Sequence, residues 1–438
     1  MNILRPKSLF LICAFALLLI VPVRARLAET LAKRAAFISV KEIGVKNSPT
    51  ASPLLIIDIE EKIQEGVLLL KSSSPLVYMT KNGKTSGDLV KKQIALAILD
   101  MISGEVFEKR VWVREQEIKD YKKTGAMIFE PVVSGEALDI QPKWWNSFNT
   151  FYEIHPVKSG KAGAEQFDGV KNRPDLIVVA NKYLLPSSYI VSLPETSRTK
   201  FTDVVYAPYS ASIHLPEIIA AGKRYLDDNV DRAFGQLNVE GVISHSTPGK
   251  LITAVINKEF VKDIILVEHI DPDGFSAAAD GGKELTERVL VIIGANQNFA
   301  YRYTGSPAGA SGLAQFIKPT YDTIVSKYPD AHLIKDYNLG MANHTNAIKA
   351  MVLFFDNYKN DIDNKVIRRD VINQVGITEE MLAAAYNGGP NKVVKSVNKY
   401  GLAWLSGQFD LPRATAVFKQ ETLNYIQKFR SIKSLDIF

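Results

Sequence analysis

The segments SPAGASGLAQF at residues 306–316 and AAAYNGGP at residues 383–390 decide how the C-terminal half of this chain folds. Each combines glycine with small residues, which permits tight turns and lets main chain approach main chain closely. A cleft that holds an extended ligand needs such close backbone approach along its walls. We therefore expect the two segments to frame a cleft rather than to serve only as turns.

Two further segments accompany them in a fixed order, HTNAIKAMVLFFDNY at 344–358 and ETLNYIQKF at 421–429. Each pattern is weak alone, but the four in this order resemble the lytic transglycosylase family and its relative, goose-type lysozyme. The resemblance covers roughly residues 265–432. It implies a lysozyme-like fold and cleavage of the β-1,4 bond between N-acetylmuramic acid and N-acetylglucosamine in peptidoglycan, leaving 1,6-anhydro ends.

Such a reaction requires one carboxyl that stays protonated near neutral pH, and desolvation raises a glutamate pKa in that direction. The position where the commonest family pattern places this acid is occupied by Gln297, beside Asn296. A second branch, the B-type enzymes, places the acid several tens of residues before the glycine-rich segment, and Glu268 fits that arrangement. At helical spacing Glu268 shares a face with Val261 and Ile264, so its carboxylate would be poorly solvated. We therefore predict Glu268 as the catalytic acid.

The resemblance also assigns residues that would line the sugar-binding cleft. Ser306 would lie near the acid, and Gln315 would bond sugar substituents. Tyr386 would stand close to the catalytic carboxyl, with Asn387 beside it. The remaining matches are more typical of scaffold and subsite residues: Glu421 and Tyr425.

Three alternatives remain open at this stage. Glu284 or Glu287, on the next predicted helix, is a less favoured acid. Asp271 or Asp273 is close enough in sequence to activate a water, which would make the protein a hydrolytic muramidase. The Asn296-Gln297 pair also allows a non-catalytic cell-wall-binding protein with a degenerate lysozyme-like domain.

Bulk properties narrow the class of partner. The net charge is +6 over 438 residues, with Lys and Arg dispersed rather than clustered. That distribution favours an acidic cell-wall polymer over nucleic acid. The single cysteine, Cys13, lies in the N-terminal apolar run, and the six histidines show no metal-ligand spacing, so we expect no metal and no organic cofactor.

The N-terminal segment is typical of an exported protein. Basic residues precede an apolar run, and Val23-Arg24-Ala25 is an acceptable cleavage site, which predicts a signal peptide over 1–25 and a periplasmic, cell-envelope or extracellular location. An uncleaved run would instead anchor the chain, because it is only slightly short of the roughly 18–20 residues that span a bilayer. Membrane association is expected only in that case.

Four segments follow from the pattern along the chain: the signal peptide, a short helix and linker over 26–53, a mixed α and β domain over 54–206 and a lysozyme-like domain over 207–438. The fold class is therefore α+β, with a mainly helical C-terminal domain after a mixed N-terminal one. Within 54–206 we predict strands at LLIID, DLIVVA and VVYAP and one amphipathic helix over 86–104. Helices are predicted in the C-terminal half at 216–234, 249–269, 283–299, 318–328, 343–359, 378–387 and 415–432.

Two aromatic features of the sequence could have a role in the cleft. Trp144 and Trp145 are adjacent, and neighbouring residues on a strand point to opposite faces, so one ring should be buried. We favour a structural role for this pair over sugar stacking. His269, next to the predicted acid, falls towards the lysine face of its helix, which predicts a surface histidine.

Overall fold

The computed structural model describes residues 57–81, 89–125, 127, 129–132, 138–156, 175–186, 201–306, 308–405 and 418–438. These ranges belong to one compact unit, Ile56–Phe438. The predicted signal peptide over 1–25 and the predicted helix and linker over 26–53 lie outside the described residues. Within the described ranges, no helix is both long and apolar enough to cross a bilayer.

The first part of the unit is built around an antiparallel sheet. Its strands are β1 (Tyr78–Thr80), β2 (Leu89–Asp100), β3 (Val106–Arg114), β4 (Glu130–Pro131), β7 (Leu176–Pro186) and β8 (Phe201–Tyr206), and a separate hairpin consists of β5 (Leu138–Trp144) and β6 (Phe151–Pro156). The order across the sheet is β4-β3-β2-β7-β8, with β1 also paired to β2. The described residues of this part also form two α-helices, α1 (Ile59–Ser72) and α2 (Glu115–Thr124).

The amphipathic helix predicted over 86–104 is wrong, because the described part of that range forms β2. Ala95 and Ala97 face the cluster beneath α1, whereas Leu96 and Ile98 face a second cluster on the other side of the sheet. Apolar residues on both faces make a continuous run that resembles a buried helix in sequence. The strand predicted at LLIID is also wrong where it is described, because Asp58 caps the N-terminus of α1 by accepting from the Glu61 amide at 3.1 Å. The other two predicted strands are confirmed as parts of β7 and β8.

The C-terminal part is helical, which confirms the coarse fold class of a mixed α and β chain with a helical second half. Its helices are α3 (Pro216–Val239), α4 (Lys258–His269), α5 (Pro272–Ala277), α6 (Lys283–Asn296), α7 (Lys318–Lys327), α8 (Tyr337–Ala342), α9 (His344–Lys365), α10 (Arg369–Val375), α11 (Glu379–Gly388), α12 (Pro390–Tyr400) and α13 (Gln420–Ser434). Each of the seven predicted helical segments overlaps one of them. The segment predicted from residue 249 becomes regular α-helix only at Lys258, where Asn257 caps it. The lysozyme-like detail stays a prediction.

The two parts share one buried core across the boundary predicted near residue 206. Val179 of the sheet, Ile218 of α3 and Ile293 of α6 all belong to the same apolar cluster. Asn296 strengthens the junction, because its amide donates to Ala207 O at 2.9 Å and accepts from Ala207 N at 2.8 Å. The strand β8 is thereby attached to the end of α6. This attachment fixes the sheet, and the hairpin that packs on it, against the helical part.

Candidate active site

Glu268 occupies the last turn of α4, a helix whose preceding residues Phe260 to Val267 are all buried. The end of the helix is stabilised by Lys428 of α13, which donates to Val267 O at 3.0 Å and to Ile270 O at 2.9 Å. A lysine that bonds terminal carbonyls satisfies acceptors that the helix cannot pair internally. Its own burial lowers the pKa of Lys428. The backbone that carries Glu268 is therefore held from two helices.

The Glu268 carboxyl is partly buried and accepts a hydrogen bond from the Tyr425 hydroxyl at 2.6 Å. Burial raises the pKa of Glu268 to about 7, the direction expected from its place on an apolar helix face. Tyr425 and Lys428 oppose this rise in pKa, and Glu421 adds to it. A carboxyl with these properties is protonated in a substantial fraction of molecules at neutral pH and can donate a proton.

The segment 306–316 forms a compact loop closed by its own backbone. Ser306 N donates to Ala310 O at 2.9 Å, and Ala310 N donates to the Ser306 hydroxyl at 3.0 Å. Gly312 has a φ of +71°, and a Cβ there would lie 2.8 Å from Met341 O, so a side chain would collide with the last turn of α8. The glycine therefore lets the loop lie against main chain, as predicted from the sequence.

Two adjoining cavities have three lining residues in common: Glu268, Ser306 and Gln315. Gln315 adopts a φ of +48°, an uncommon conformation for a residue with a side chain. Its amide donates to Gly312 O at 2.7 Å, which fixes the side-chain orientation and leaves its carbonyl oxygen available to a ligand. Strained backbone of this kind is concentrated at functional sites.

The first cavity, of about 590 Å³, extends from Glu268 towards the β5–β6 hairpin and α6. The second, of about 480 Å³, extends in the direction of α11 and α13. The residues of the second cavity include most of those assigned through the family resemblance: Ser306, Gln315, Tyr386, Asn387 and Glu421. The two cavities together form a groove with Glu268 and Ser306 at its centre.

Tyr386 lines this groove, although its hydroxyl donates to Ala314 O. Its ring packs against Phe316, Phe354 and Phe355, with centroids 5.0 to 5.8 Å apart. Burial and the nearby Glu268 both raise the pKa of Tyr386, so its hydroxyl stays protonated. Tyr425, which the sequence pattern predicted to be a scaffold or subsite residue, is thus the tyrosine that bonds Glu268 directly.

Asn387 and Glu421 occupy neighbouring positions at the exposed rim of the second cavity. Asn387 accepts from the Thr422 hydroxyl at 2.7 Å, which ties the YNGG turn to the first turn of α13. A Cβ on Gly388 would lie 3.0 Å from the same threonine, so this turn also depends on a small residue. The arrangement leaves the Asn387 amide nitrogen and the Glu421 carboxylate facing solvent at the groove.

The residues at the commonest family position for the acid do not lie in this groove. Asn296 is buried and bonded to Ala207, and Gln297 lines a different, small cavity near Lys71 and Phe299. Asn296 therefore has a structural role. The lack of a carboxyl at these two positions does not affect whether the groove contains an acid.

The less favoured carboxyls have other positions. Glu284 pairs with Arg288 at 3.4 Å and Glu287 with His214 at 3.2 Å, and neither lines the two cavities. Asp271 does line the first cavity, where its carboxylate also caps α5 by accepting from Gly274 N at 2.6 Å. Asp273 is exposed on α5 outside the linings. Of the two residues considered for water activation, only Asp271 is within the groove.

The prediction of a surface position for His269 is wrong. Its ring stacks on Tyr301 with centroids 3.5 Å apart, and Nε2 bonds Leu313 O at 2.9 Å. Burial lowers the pKa of His269 to about 3, so the ring is neutral and donates this bond. Helical spacing predicted the wrong environment for His269 because α4 ends at this residue. The loop that contains Leu313 covers the side of the ring that would otherwise be exposed.

Sequence reasoning missed two residues of the first cavity, Tyr209 and Arg288, and it missed Lys428, which holds the end of the helix that carries Glu268. Nothing in their local sequence marks them, because each acts through a contact with a distant segment. The sequence favours a structural role for Trp144, yet this residue is 48% exposed and lines the first cavity, while Trp145 packs inward as expected. Among the described residues, no group of His, Asp or Glu side chains is placed to hold a metal ion.

Comparisons of this chain with protein-family models, with curated proteins and with solved structures found no match.

Proposed function

We propose that this protein cleaves peptidoglycan glycan strands as a lytic transglycosylase, with Glu268 as its single acid and base. The observation that carries the proposal is the position of Glu268, a carboxyl with a pKa of about 7 at the centre of a groove, bonded by Tyr425 at 2.6 Å. The order of the four sequence segments supports peptidoglycan as the substrate. The net charge of +6 suits an anionic polymer.

In the proposed reaction, protonated Glu268 donates its proton to the glycosidic oxygen that leaves. The substrate's own acetamido oxygen stabilises the positive charge that develops at the muramic C1. The Glu268 carboxylate then removes the proton from the C6 hydroxyl, whose oxygen bonds to C1 and closes a 1,6-anhydro ring. One carboxyl suffices because the substrate supplies the second group, which is the exception to the two-carboxylate arrangement of most glycosidases.

Tyr425 contributes by fixing the carboxyl that it bonds. Its hydrogen bond favours the carboxylate, whereas burial favours the neutral acid. These opposed effects leave the pKa close to neutrality, where a group that first gives and then takes a proton is most effective. Gln315 and Ser306, which line both cavities together with Glu268, would hold sugar substituents beside it.

A hydrolytic muramidase is the second candidate, and the position of Asp271 in the first cavity favours it. In that reaction Asp271 would help a water attack the muramic C1 in place of the C6 hydroxyl. The products distinguish the two candidates, because hydrolysis adds one water to each released fragment. Mass analysis of the muropeptides released from purified sacculi therefore decides between them.

The decisive test of the enzyme proposal is Glu268→Gln, which keeps the shape and can still accept the Tyr425 hydrogen bond. We expect the turnover number to fall by about 10²–10⁴-fold, the usual contribution of a general acid. Glu259→Gln, a change of an exposed glutamate on the same helix that pairs with Lys262, is the matched control and should retain activity. If Glu268→Gln clears sacculi as fast as the unaltered protein, Glu268 is not the acid. If the unaltered protein binds sacculi but releases no fragments, the protein is a wall-binding protein instead.

A further inference from the structure

The first cavity has a wall that the lysozyme-like resemblance does not account for. Trp144 ends strand β5 and projects an exposed ring into the lining that Glu268 also joins. Its neighbour Trp145 packs inward, with its ring 6.2 Å from Tyr183 and 6.4 Å from Phe129. The inward ring thus anchors the outward one. A large apolar ring held open to solvent beside a candidate acid calls for a ligand.

The loop that follows Trp144 is attached to both parts of the molecule. Asn149 accepts from the Tyr209 amide at 2.9 Å, and Asn181 of β7 donates to Phe148 O at 2.8 Å. The Phe148 ring packs edge-on against Tyr206 and Tyr303, at 5.0 and 5.6 Å. Trp144 is therefore carried by a hairpin whose end is fixed. A preorganised ring of this kind binds without paying much ordering entropy.

Arg288 of α6 provides a cation in the same lining. Its guanidinium lies over the Tyr209 ring, 4.6 Å from the centroid, and its ion pair with the exposed Glu284 is 3.4 Å long. Its Nε is buried without a hydrogen-bond partner in the described part of the chain, whereas the side chain as a whole is 36% exposed. The accessible end of the guanidinium is suited to a carboxylate, which a guanidinium binds through two parallel hydrogen bonds.

Tyr209, beneath Arg288, is itself held in place. Its hydroxyl bonds His214 Nδ1 at 2.9 Å, and His214 Nε2 bonds Glu287 at 3.2 Å. This chain fixes the platform on which the guanidinium rests. The first cavity thus contains a fixed aromatic ring and a positioned cation within one volume of about 590 Å³.

We propose that the first cavity is a saccharide subsite for a sugar that bears a carboxylate, with the sugar ring stacked on Trp144 and the carboxylate bound by Arg288. The proposal rests on the proposed function and extends it to substrate selection. On a glycan strand the sugar that fits is N-acetylmuramic acid with a free lactyl carboxylate. The subsite would therefore favour glycan without stem peptides over a neutral polymer of N-acetylglucosamine.

The test measures binding separately from cleavage. The protein carrying Glu268→Gln is titrated by calorimetry with two probes, peptide-free glycan strands and the uncharged oligosaccharide chitohexaose. Adding Arg288→Gln should weaken binding of the glycan strands by about tenfold or more and leave chitohexaose binding unchanged. Adding Trp144→Ala should weaken both probes. The matched control is Arg224→Gln, a change of an exposed α3 arginine that pairs with Glu60, and it should change neither.

Conservative variants separate a binding role from a folding defect. Trp144→Phe and Arg288→Lys should each give an intermediate affinity, with a melting temperature equal to that of the parent. The subsite is overturned if Arg288→Gln weakens both probes equally, or if Trp144→Ala leaves both affinities unaltered. The enzyme proposal is tested separately, by the release of fragments from sacculi. If the two probes bind as expected but the unaltered protein releases no fragments, the subsite proposal stands and the enzyme proposal fails.

Discussion

At the scale of single residues, the groove depends on how one carboxyl is surrounded. Burial alone would favour the neutral form of Glu268, and the Tyr425 hydroxyl and Lys428 ammonium limit that effect. The result is a pKa of about 7 rather than the ordinary value near 4. Tyr425 comes from 157 residues further along the chain, so the pKa of Glu268 depends on the packing of α13 against α4.

Replacing Tyr425 with Phe should move the pH dependence of the reaction. The Tyr425 hydrogen bond lowers the pKa of Glu268, so its removal raises that pKa further. The proton donor then persists to higher pH, and the alkaline fall in kcat/KM should move upward by about one pH unit. The measurement is the pH profile of sacculus cleavage. Tyr386→Phe is the control, since that hydroxyl bonds Ala314 O, and a shift seen with Tyr386→Phe but not with Tyr425→Phe would contradict this assignment.

At the scale of elements, the closest contact that supports the site is the crossing of α3 and α6. A Cβ on Gly222 would lie 2.0 Å from Leu290 O, and one on Gly294 would lie 2.3 Å from Ile218 O. Reciprocal glycines let the two helix backbones touch. This contact sets the position of α6, which carries Arg288 at its middle and Asn296 at its end.

Gly222→Ala should destabilise the protein because the added methyl group meets backbone that cannot move aside. We expect a loss of about 1–3 kcal/mol or more in the free energy of unfolding, the range found for overpacked cores. The same change at Gly235, also in α3 but with nothing within 4 Å of the added Cβ, should instead stabilise by about 0.5–1 kcal/mol. Urea unfolding of the two variants measures the difference. Equal effects at both positions would mean that the helices do not cross at Gly222.

At the scale of the whole molecule, the stability depends on two buried carboxyls on the same helix. Burial raises the pKa of Asp263 to about 7, with Glu379 adding to the rise and Lys433 opposing it. Burial does the same for Glu268, also to about 7. Only Glu268 lies in the groove. Comparing variants of Asp263 and Glu268 therefore distinguishes the effect of such a carboxyl on stability from its effect on the reaction.

Asp263 and Glu268 should each lower the free energy of unfolding as pH rises from about 4 to about 7, whereas the buried His269, with its lowered pKa of about 3, raises it over part of the same range. At the two carboxyls the folded state binds more protons than the unfolded state in that window, because carboxyls in the unfolded chain titrate near 4. Each of the two carboxyls contributes a loss on the order of 3 kcal/mol. The measurement is denaturation of Glu268→Gln and Asp263→Asn at about pH 5 and about pH 8. Between these pH values the free energy of unfolding should decrease less in each variant than in the unaltered protein. Asp263→Asn should keep its activity, and an unchanged pH dependence in both variants would contradict these raised pKa values.

Local patterns accounted for much of the helical half but less of the sheet. Apolar residues at helical spacing predicted α3, α6 and α9 because each helix buries one face and a regular pattern results. The range over β2 was misread because a strand buried on both faces has no polar alternation. The prediction for His269 was wrong for a related reason. Helical spacing describes the faces of one helix and not the loop, containing Leu313, that covers this residue in the folded chain.

The sequence by itself determined the turn segments of the groove, the face on which Glu268 lies and the helical character of the second half. These features depend on residues close together in the chain, such as the glycines of 306–316. Only the tertiary structure decided that Tyr425 bonds Glu268, that Asn296 holds β8 and that Trp144 and Arg288 share a cavity with the candidate acid. Those contacts join segments separated by 89 to 157 residues or bring the sheet against the helices. No local pattern specifies such contacts, because they form only when the shared core has packed.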